Sequence, residues 1–288
     1  MQGPVSRFYF NDRLRLHYAE WGAEDRPTLL LVHGGQDHCR SWDWVCRALG
    51  DRFHILAPDL RGHGDSAWAA GCGYTLAEVV ADLVQLLRQR SRGKVHLMGH
   101  SYGGAASLLL AGIYPELVER LVVVEGTWQW QRTAALPPLA DRVRGWVDRL
   151  HGLSARAPRK YATLEDAAER MRAENRSLSA EQAWHLTVHG MHQNEDGTFG
   201  WKFDNYVRAP FPLQVTRDDV RDIWSRVACP TLLIRGGDSW LEDPEAAGAL
   251  ALFRDARART IEGAGHWPHH DRFEEFLGLV RPFLTAEG

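Results

Sequence analysis

The sequence predicts a doubly wound α/β fold: a mostly parallel sheet with an inserted helical lid. Three observations carry that prediction. Short apolar runs recur along the chain, and most stop at Gly, Pro, Asp or His. Amphipathic stretches lie between them, and this strand–helix alternation is how parallel sheets are built. One long segment, residues 128–216, breaks the alternation.

The elements follow in chain order. Phe8 to Trp21 alternates apolar and polar residues, which predicts an antiparallel hairpin at one sheet edge. Thr28 to Val32, His54 to Pro58, Val95 to Met98, Leu121 to Val124, Thr231 to Ile234 and Ala258 to Ile261 are brief and mostly rich in branched residues. They predict strands buried on both faces, as in a parallel sheet. Ser41 is expected to cap a short helix through Leu49. Thr75-Leu76-Ala77-Glu78 is a capping box, and Val79, Leu83, Leu86 and Leu87 follow it at helical spacing. A helix after Ser101 ends near Pro115, and a last one runs from about Phe273 to Leu284. Glu242 and Asp243 before Pro244 read as a helix entry.

Inside the exceptional segment, helices are signalled at Leu139 to Leu150, after Thr163-x-x-Asp166, and after Ser179-x-x-Gln182. Asp196-Gly197 marks a turn and Thr198 to Phe203 an extended stretch, and Pro210 and Pro212 lead back to the core. The division is therefore a core of residues 1–127 and 217–288 with a helical lid of 128–216. A chain of 288 residues is long for one minimal domain and short for two, which suits one domain with an insertion.

Charge and composition exclude several function classes. The net charge is -3 and no Lys/Arg run occurs, so nucleic acid is not an expected partner. No stretch approaches the roughly 20 apolar residues of a membrane helix. Met1 to Phe10 lacks a signal-peptide pattern, which predicts a cytoplasmic protein. Cys39, Cys46, Cys72 and Cys229 are scattered without a CxxC pair and read as reduced thiols rather than a zinc site. No cofactor is predicted, and the oligomeric state is left open.

The sharpest chemical signal is Gly99-His100-Ser101-Tyr102-Gly103-Gly104, directly after the run Val95 to Met98. It matches G-x-S-x-G, a strand-to-helix turn so tight that a Cβ at the flanking glycines would clash. Other motifs accompany it. His33-Gly34-Gly35 follows a strand, Asp59-Leu60-Arg61-Gly62-His63-Gly64-Asp65-Ser66 follows another, and Gly263-Ala264-Gly265-His266-Trp267 follows a third. On these residues the chain resembles the α/β-hydrolase superfamily, in its lidded esterase/lipase branch near haloalkane dehalogenases and carbon–carbon bond hydrolases. The match covers nearly all of the chain outside the lid.

That resemblance implies a mechanism. Ser101 is the expected nucleophile, and His266 the base that takes its proton and returns it to the leaving group. The backbone N–H groups of Gly35 and Tyr102 are the expected oxyanion donors. Asp59 and Arg61 are expected to brace their loop rather than react. The serine argues against haloalkane dehalogenases and epoxide hydrolases, which use an aspartate at the elbow.

The triad acid has two candidates. Most relatives carry it three residues after the glycine that follows the strand Thr231 to Ile234. Counting from Gly236 puts Ser239 in that place and leaves Asp238 one residue early. The other candidate, Glu125, ends the strand Leu121 to Val124, where haloalkane dehalogenases with a glutamate acid carry theirs. A carboxylate at the end of so apolar a strand is costly to bury without a partner. Glutamate's extra methylene also suits a site one strand nearer the nucleophile. The expectation is Glu125, with Asp238 as the alternative.

The remaining histidines are read without catalytic roles. His269 and His270 are expected to cap or lie at the surface, His100 to pack beside the nucleophile, and His33 to stabilise its loop. His185, His189 and His192 would share a helix face at i, i+4 and i+7, but no third ligand is evident and no metal is predicted. Among the twelve tryptophans, Trp128 and Trp267 are expected to line an apolar substrate pocket; Trp130, Trp146, Trp184, Trp201 and Trp240 are also near the lid or the site loops. The resulting expectation is a serine hydrolase, carboxylesterase-like, acting on a small, largely apolar ester. Carbon–carbon bond hydrolysis or perhydrolysis with the same triad is the alternative. A non-catalytic ligand-binding protein on the same fold is the alternative of another class.

Overall fold

A computed structural model describes residues 3–71, 73–132, 136–209, 211 and 215–286. Cys72, Pro210 and Pro212 lie outside the described residues. The strands are β1 (Val5–Asn11), β2 (Leu14–Trp21), β3 (Thr28–Val32), β4 (His54–Pro58), β5 (Val95–His100), β6 (Val118–Val124), β7 (Met191–Gln193), β8 (Phe199–Trp201), β9 (Thr231–Gly236) and β10 (Ala256–Ile261). The helices are α1 (Asp43–Leu49), α2 (Leu76–Arg90), α3 (Ser101–Ile113), α4 (Trp128–Arg132), α5 (Leu139–Ser154), α6 (Leu164–Glu174), α7 (Ala180–Gly190), α8 (Arg217–Ser225), α9 (Pro268–Asp271) and α10 (Phe273–Thr285).

Eight strands make one sheet in the order β1-β2-β4-β3-β5-β6-β9-β10. The β1–β2 hairpin and the β2–β4 pairing are antiparallel, and the other pairings are parallel. Side chains alternate between the two faces because the strand period is two. Leu30, Val32, Leu97, Leu121, Val123 and Leu233 pack with Leu83 of α2, Leu108 of α3 and Trp224 of α8. Leu29, Leu31, Met98, Val122, Val124 and Ile234 pack with Leu49 of α1 and Phe276 and Val280 of α10. Each such side chain, fully buried, contributes about 1.5–3 kcal/mol. That two-faced burial is why the strands read as unbroken apolar runs.

The register levels the strand ends. Val32 pairs with Gly99, Gly99 with Val123, and Val123 with Leu233. The loops after β3, β5 and β6 therefore start within one residue of the same height, at the same end of the sheet, and β9 runs two residues beyond the end of β6, to Gly236.

Between β6 and α8 lie α4 to α7 and the small β7–β8 hairpin, which turns at Asp196–Gly197 as expected. Thr163 and Ser179 cap α6 and α7 with their side chains. This insertion is tied to the core at several points. Tyr74 donates to Asp204 at 2.5 Å, Gln182 to the His270 carbonyl at 3.0 Å, and Arg208 to Gln36 at 2.5 Å.

Some local expectations change. Ser41 does not cap α1; it lies in a 3₁₀ turn and its hydroxyl meets His270 Nε2 at 2.9 Å. Glu242 and Asp243 open a tight turn, with Asp243 Oδ1 accepting from the Glu245 N–H, and the chain continues as turns into a single 3₁₀ turn at Leu250–Leu252 rather than an α-helix. Helix α8 is absent from the sequence-based expectations, although Thr216-x-x-Asp219 is a capping box that marks its start. Trp130 turns into the core against Trp224 rather than toward a pocket, with ring centroids 6.3 Å apart. Among the described residues, no helix is long and apolar enough to cross a membrane.

Candidate active site

Ser101 sits where β5 becomes α3, with φ at 51°. The left-handed backbone is costly for a side-chain-bearing residue and marks a position held by its surroundings. The glycines explain how the turn fits. A Cβ at Gly99 would lie 2.4 Å from the Gly103 carbonyl oxygen, and one at Gly103 would lie 2.3 Å from that of His33.

His266 arrives on the loop after β10. Gly263 turns the chain at φ 66°, and the Gly265 N–H donates to Asp271 at 2.8 Å. His100 Nε2 donates to the His266 carbonyl at 2.7 Å, fixing the backbone beneath the imidazole. Burial holds the His100 ring far below the usual histidine range, so it serves as a neutral donor. His266 Nε2 lies 2.9 Å from Ser101 Oγ, and its Nδ1 lies 2.9 Å from Glu125 Oε2. A carboxylate only accepts, so Nδ1 carries the proton and Nε2 is left to accept from the serine.

Glu125 follows the last residue of β6 with φ at 55° and is fully buried. Its Oε1 accepts the Gly236 N–H at 2.6 Å, and its Oε2 accepts the Ser239 hydroxyl at 2.5 Å. Asp238 is exposed, and its backbone N–H is bonded to the Ala264 carbonyl. Of the two acid candidates, the structure brings Glu125 to the histidine and leaves Asp238 at the surface. The sequence marks Ser239 as the occupant of the usual acid position, and nothing in the local pattern points to its contact with Glu125, which joins residues 114 positions apart.

Gly35 and Tyr102 lie side by side above the elbow. A Cβ on Gly35 would be 3.9 Å from Tyr102 Cβ, and one on Gly34 would be 3.3 Å from Ser101 Cβ. Tyr102 lies in the first turn of α3, whose first amides have no partner within the helix and carry the positive end of its dipole. Two neutral imidazoles shape the Gly34–Gln36 loop. His33 accepts from the Leu60 N–H and donates to the Gly34 carbonyl; His63 accepts from the Gln36 N–H and donates to the Arg61 carbonyl. Desolvation lowers both, His33 to about 3. Asp59 accepts from His17 and from the backbone of Cys39 and Asp65, while Arg61 pairs with Asp82.

The aromatic surroundings are mixed. Trp128 Nε1 points to the Ser101 carbonyl at 3.3 Å, and the exposed Trp240 ring lies 5.5 Å from His266. Trp267 sits at a centroid distance of 6.5 Å from His100 and packs on the α7 residues Ala183 and Leu186. A small cavity of about 50 Å³ opens beside Gly35, Gln36, Tyr74, Tyr102 and Val207. A wider cleft of about 550 Å³ lies among Arg26, His96 and Arg120, at the opposite ends of the strands and away from Ser101.

His269 and His270 are buried rather than superficial, because the short helix α9 turns inward and stacks His269 on Trp42. His192 leaves the helix face, since α7 stops at Gly190. His185 and His189 instead converge with Asp43, their ligand atoms within 4.8 Å of one another. Arg40 fills that cluster, binding Asp43 at 2.6 Å and approaching His189 at 3.3 Å. His17, Cys39 and Asp59 also converge, but hydrogen bonds that brace the loop already engage Asp59.

Fold and strand-end site together define a hydrolase built on a doubly wound sheet. Residues 29–279 match the Alpha/beta hydrolase family, and the chain belongs to that family. It is similar to esterase Rv0045c of Mycobacterium tuberculosis, with 28% identity over 272 residues spanning 92% of this chain and 85% of that one. It is also similar to 2-(acetamidomethylene)succinate hydrolase of Mesorhizobium japonicum, with 26% identity over 295 residues spanning 98% and 96%. Among solved structures, the thioesterase domain from the curacin biosynthetic pathway superposes with a TM-score of 0.83 at 22% identity, covering 97% of this chain and 100% of that domain. That likeness concerns the fold alone.

Proposed function

We propose that the protein is a serine hydrolase that cleaves a carboxylic ester of a small, largely apolar substrate through an acyl-enzyme. The observation that carries this reading is the unbroken chain Ser101 Oγ, His266 Nε2, His266 Nδ1, Glu125 Oε2, with both links at 2.9 Å. In it, His266 takes the seryl proton as Oγ attacks the ester carbonyl, and Glu125 steadies the imidazolium that forms. The N–H groups of Gly35 and Tyr102 hold the oxyanion. His266 then protonates the leaving alcohol, and water, activated by the same ring, releases the acid and frees Ser101. Relatives named as an esterase and a hydrolase support the reaction class.

The insertion, residues 128–216, acts in this reading as a lid over the strand ends. Its ties to Tyr74, Gln36 and His270 support that role. Trp128 and Trp267 supply apolar walls, and the small cavity beside Tyr102 favours a short acyl group.

The test is a fluorophosphonate probe with aryl esters of graded acyl length and ring-cleavage diketones as substrates. Labelling at Ser101, ester turnover, and loss of both in Ser101→Ala are expected; the loss in kcat should be about 10⁶-fold. Labelling elsewhere, or full activity in the variant, overturns the assignment.

A further inference from the structure

We propose that Ser239 is a positioning residue of this site, whose hydroxyl fixes the Glu125 carboxylate against the His266 ring. The proposal rests on the catalytic reading of Ser101, His266 and Glu125 given above.

Glu125 starts from the end of β6, yet its carboxylate is delivered to the end of β9. There Oε1 meets the Gly236 N–H at 2.6 Å, and Oε2 meets Ser239 Oγ at 2.5 Å and His266 Nδ1 at 2.9 Å. The seryl proton has one direction open to it. Ser239 Oγ accepts the Leu241 N–H at 3.3 Å, and a carboxylate cannot donate, so the O–H points at Glu125. A hydrogen bond to an ionised acceptor is among the stronger ones.

Its consequence is geometric. The two single bonds beyond Cβ leave a glutamate free to swing, and the φ of 55° at Glu125 gives its backbone no intrinsic preference for this pose. Gly236 fixes one oxygen. Ser239 fixes the other, which is the oxygen that faces the imidazole. Ser239 is itself anchored: its N–H bonds to the Gly236 carbonyl at 3.1 Å, and Arg235 reaches its carbonyl at 3.4 Å and that of Leu241 at 2.6 Å. The loop after β9 thus contributes a hydroxyl that orients an acid carried by the neighbouring strand.

The test compares Ser239→Thr with Ser239→Val, which differ by a hydroxyl against a methyl in the same shape, alongside Ser239→Ala. Steady-state ester hydrolysis is measured on each, with melting temperature as the check on folding. The low-field proton resonance of the His266–Glu125 hydrogen bond is the readout independent of turnover. Ser239→Thr is expected to keep kcat within about threefold. Ser239→Val and Ser239→Ala are expected to lose kcat about tenfold, equal to about 1.4 kcal/mol of barrier, with KM nearly unchanged and the low-field resonance shifted or lost. Equal kcat in the Thr and Val variants, or a resonance that Ser239→Val leaves unmoved, overturns the proposal while Ser101 labelling in the wild type still stands. A wild type that neither hydrolyses esters nor labels at Ser101 removes the catalytic reading and this proposal with it.

Discussion

Ser101 and Glu125 leave adjacent parallel strands one residue beyond the same rung. His100 is the register partner of Val124, and the next residue on each strand has a left-handed φ, 51° for Ser101 and 55° for Glu125. Neighbouring strands lie about 4.8 Å apart, so the two side chains begin too close to bracket an imidazole directly. Glu125 resolves this by reaching sideways to the end of β9, where Gly236 receives one of its oxygens. His266 then spans the gap between them. An aspartate in the place of Glu125 would be one methylene too short for that reach.

The first prediction separates the two acids. Glu125→Gln keeps the size of the side chain but cannot hold the imidazole in the required tautomer. It is expected to lower kcat by about 10³–10⁴-fold, as loss of the charge does in other triads. Asp238→Asn, at an exposed position, is expected to stay within about twofold. Steady-state assays on one aryl ester decide this, and the reverse ranking would move the acid to Asp238.

The elbow glycines make a stability prediction. In Gly103→Ala the new methyl meets the His33 carbonyl oxygen at 2.3 Å and that of Val32 at 2.4 Å. Both are backbone atoms at the end of β3, an interior strand, and cannot turn aside. A loss of about 2–3 kcal/mol is expected, typical of overpacking, together with slower labelling of Ser101. Urea denaturation with an unchanged stability would show that the turn has room that the geometry denies.

The buried histidines predict acid sensitivity. Burial lowers His270 to about 3, His33 to about 3, and His100 and His269 well below 6.5. Unfolded, these rings bind protons near pH 6.5 while the folded protein does not. The unfolded state therefore carries more protons between about pH 6.5 and 3, and stability falls as pH drops through that window. At pH 5 each such ring contributes at most about 2 kcal/mol to the loss. His270→Phe is expected to be less stable at pH 7, because Ser41 loses its partner, yet to lose less between pH 7 and pH 5. A drop as large as in the wild type would assign the acid sensitivity to other groups.

Docking of the insertion is tested at Asp204, which accepts from Tyr74 at 2.5 Å and from the Tyr206 N–H at 3.0 Å. Asp204→Ala is expected to loosen the segment that follows the β7–β8 hairpin. Limited proteolysis within residues 190–216 should quicken severalfold, and KM should rise more than kcat falls. Unchanged cleavage and KM would mean that the insertion is held by its other contacts and that Asp204 has no part in closing the site.

Strand positions, the elbow and the loops that follow β3, β4 and β10 were legible in the amino-acid order, because each depends on neighbours close in the chain. Apolar runs mark strands buried on two faces, Thr75-x-x-Glu78 marks a helix start, and the glycines around Ser101 mark a turn with no room for Cβ atoms. What joins distant segments was decided by the tertiary structure. Sequence spacing left Glu125 and Asp238 both open; the sheet register and the pull of Gly236 and Ser239 bring one carboxylate to His266 and leave the other in solvent. His269 and His270 looked superficial after Pro268, but the packing of α9 against Trp42 buries them. Trp130 lies in the stretch near the lid, and helix α8 takes it into the core against Trp224. Local patterns report what a segment can form, whereas a side chain's partner depends on which segments the sheet sets at the same height, and that is a property of the assembled fold.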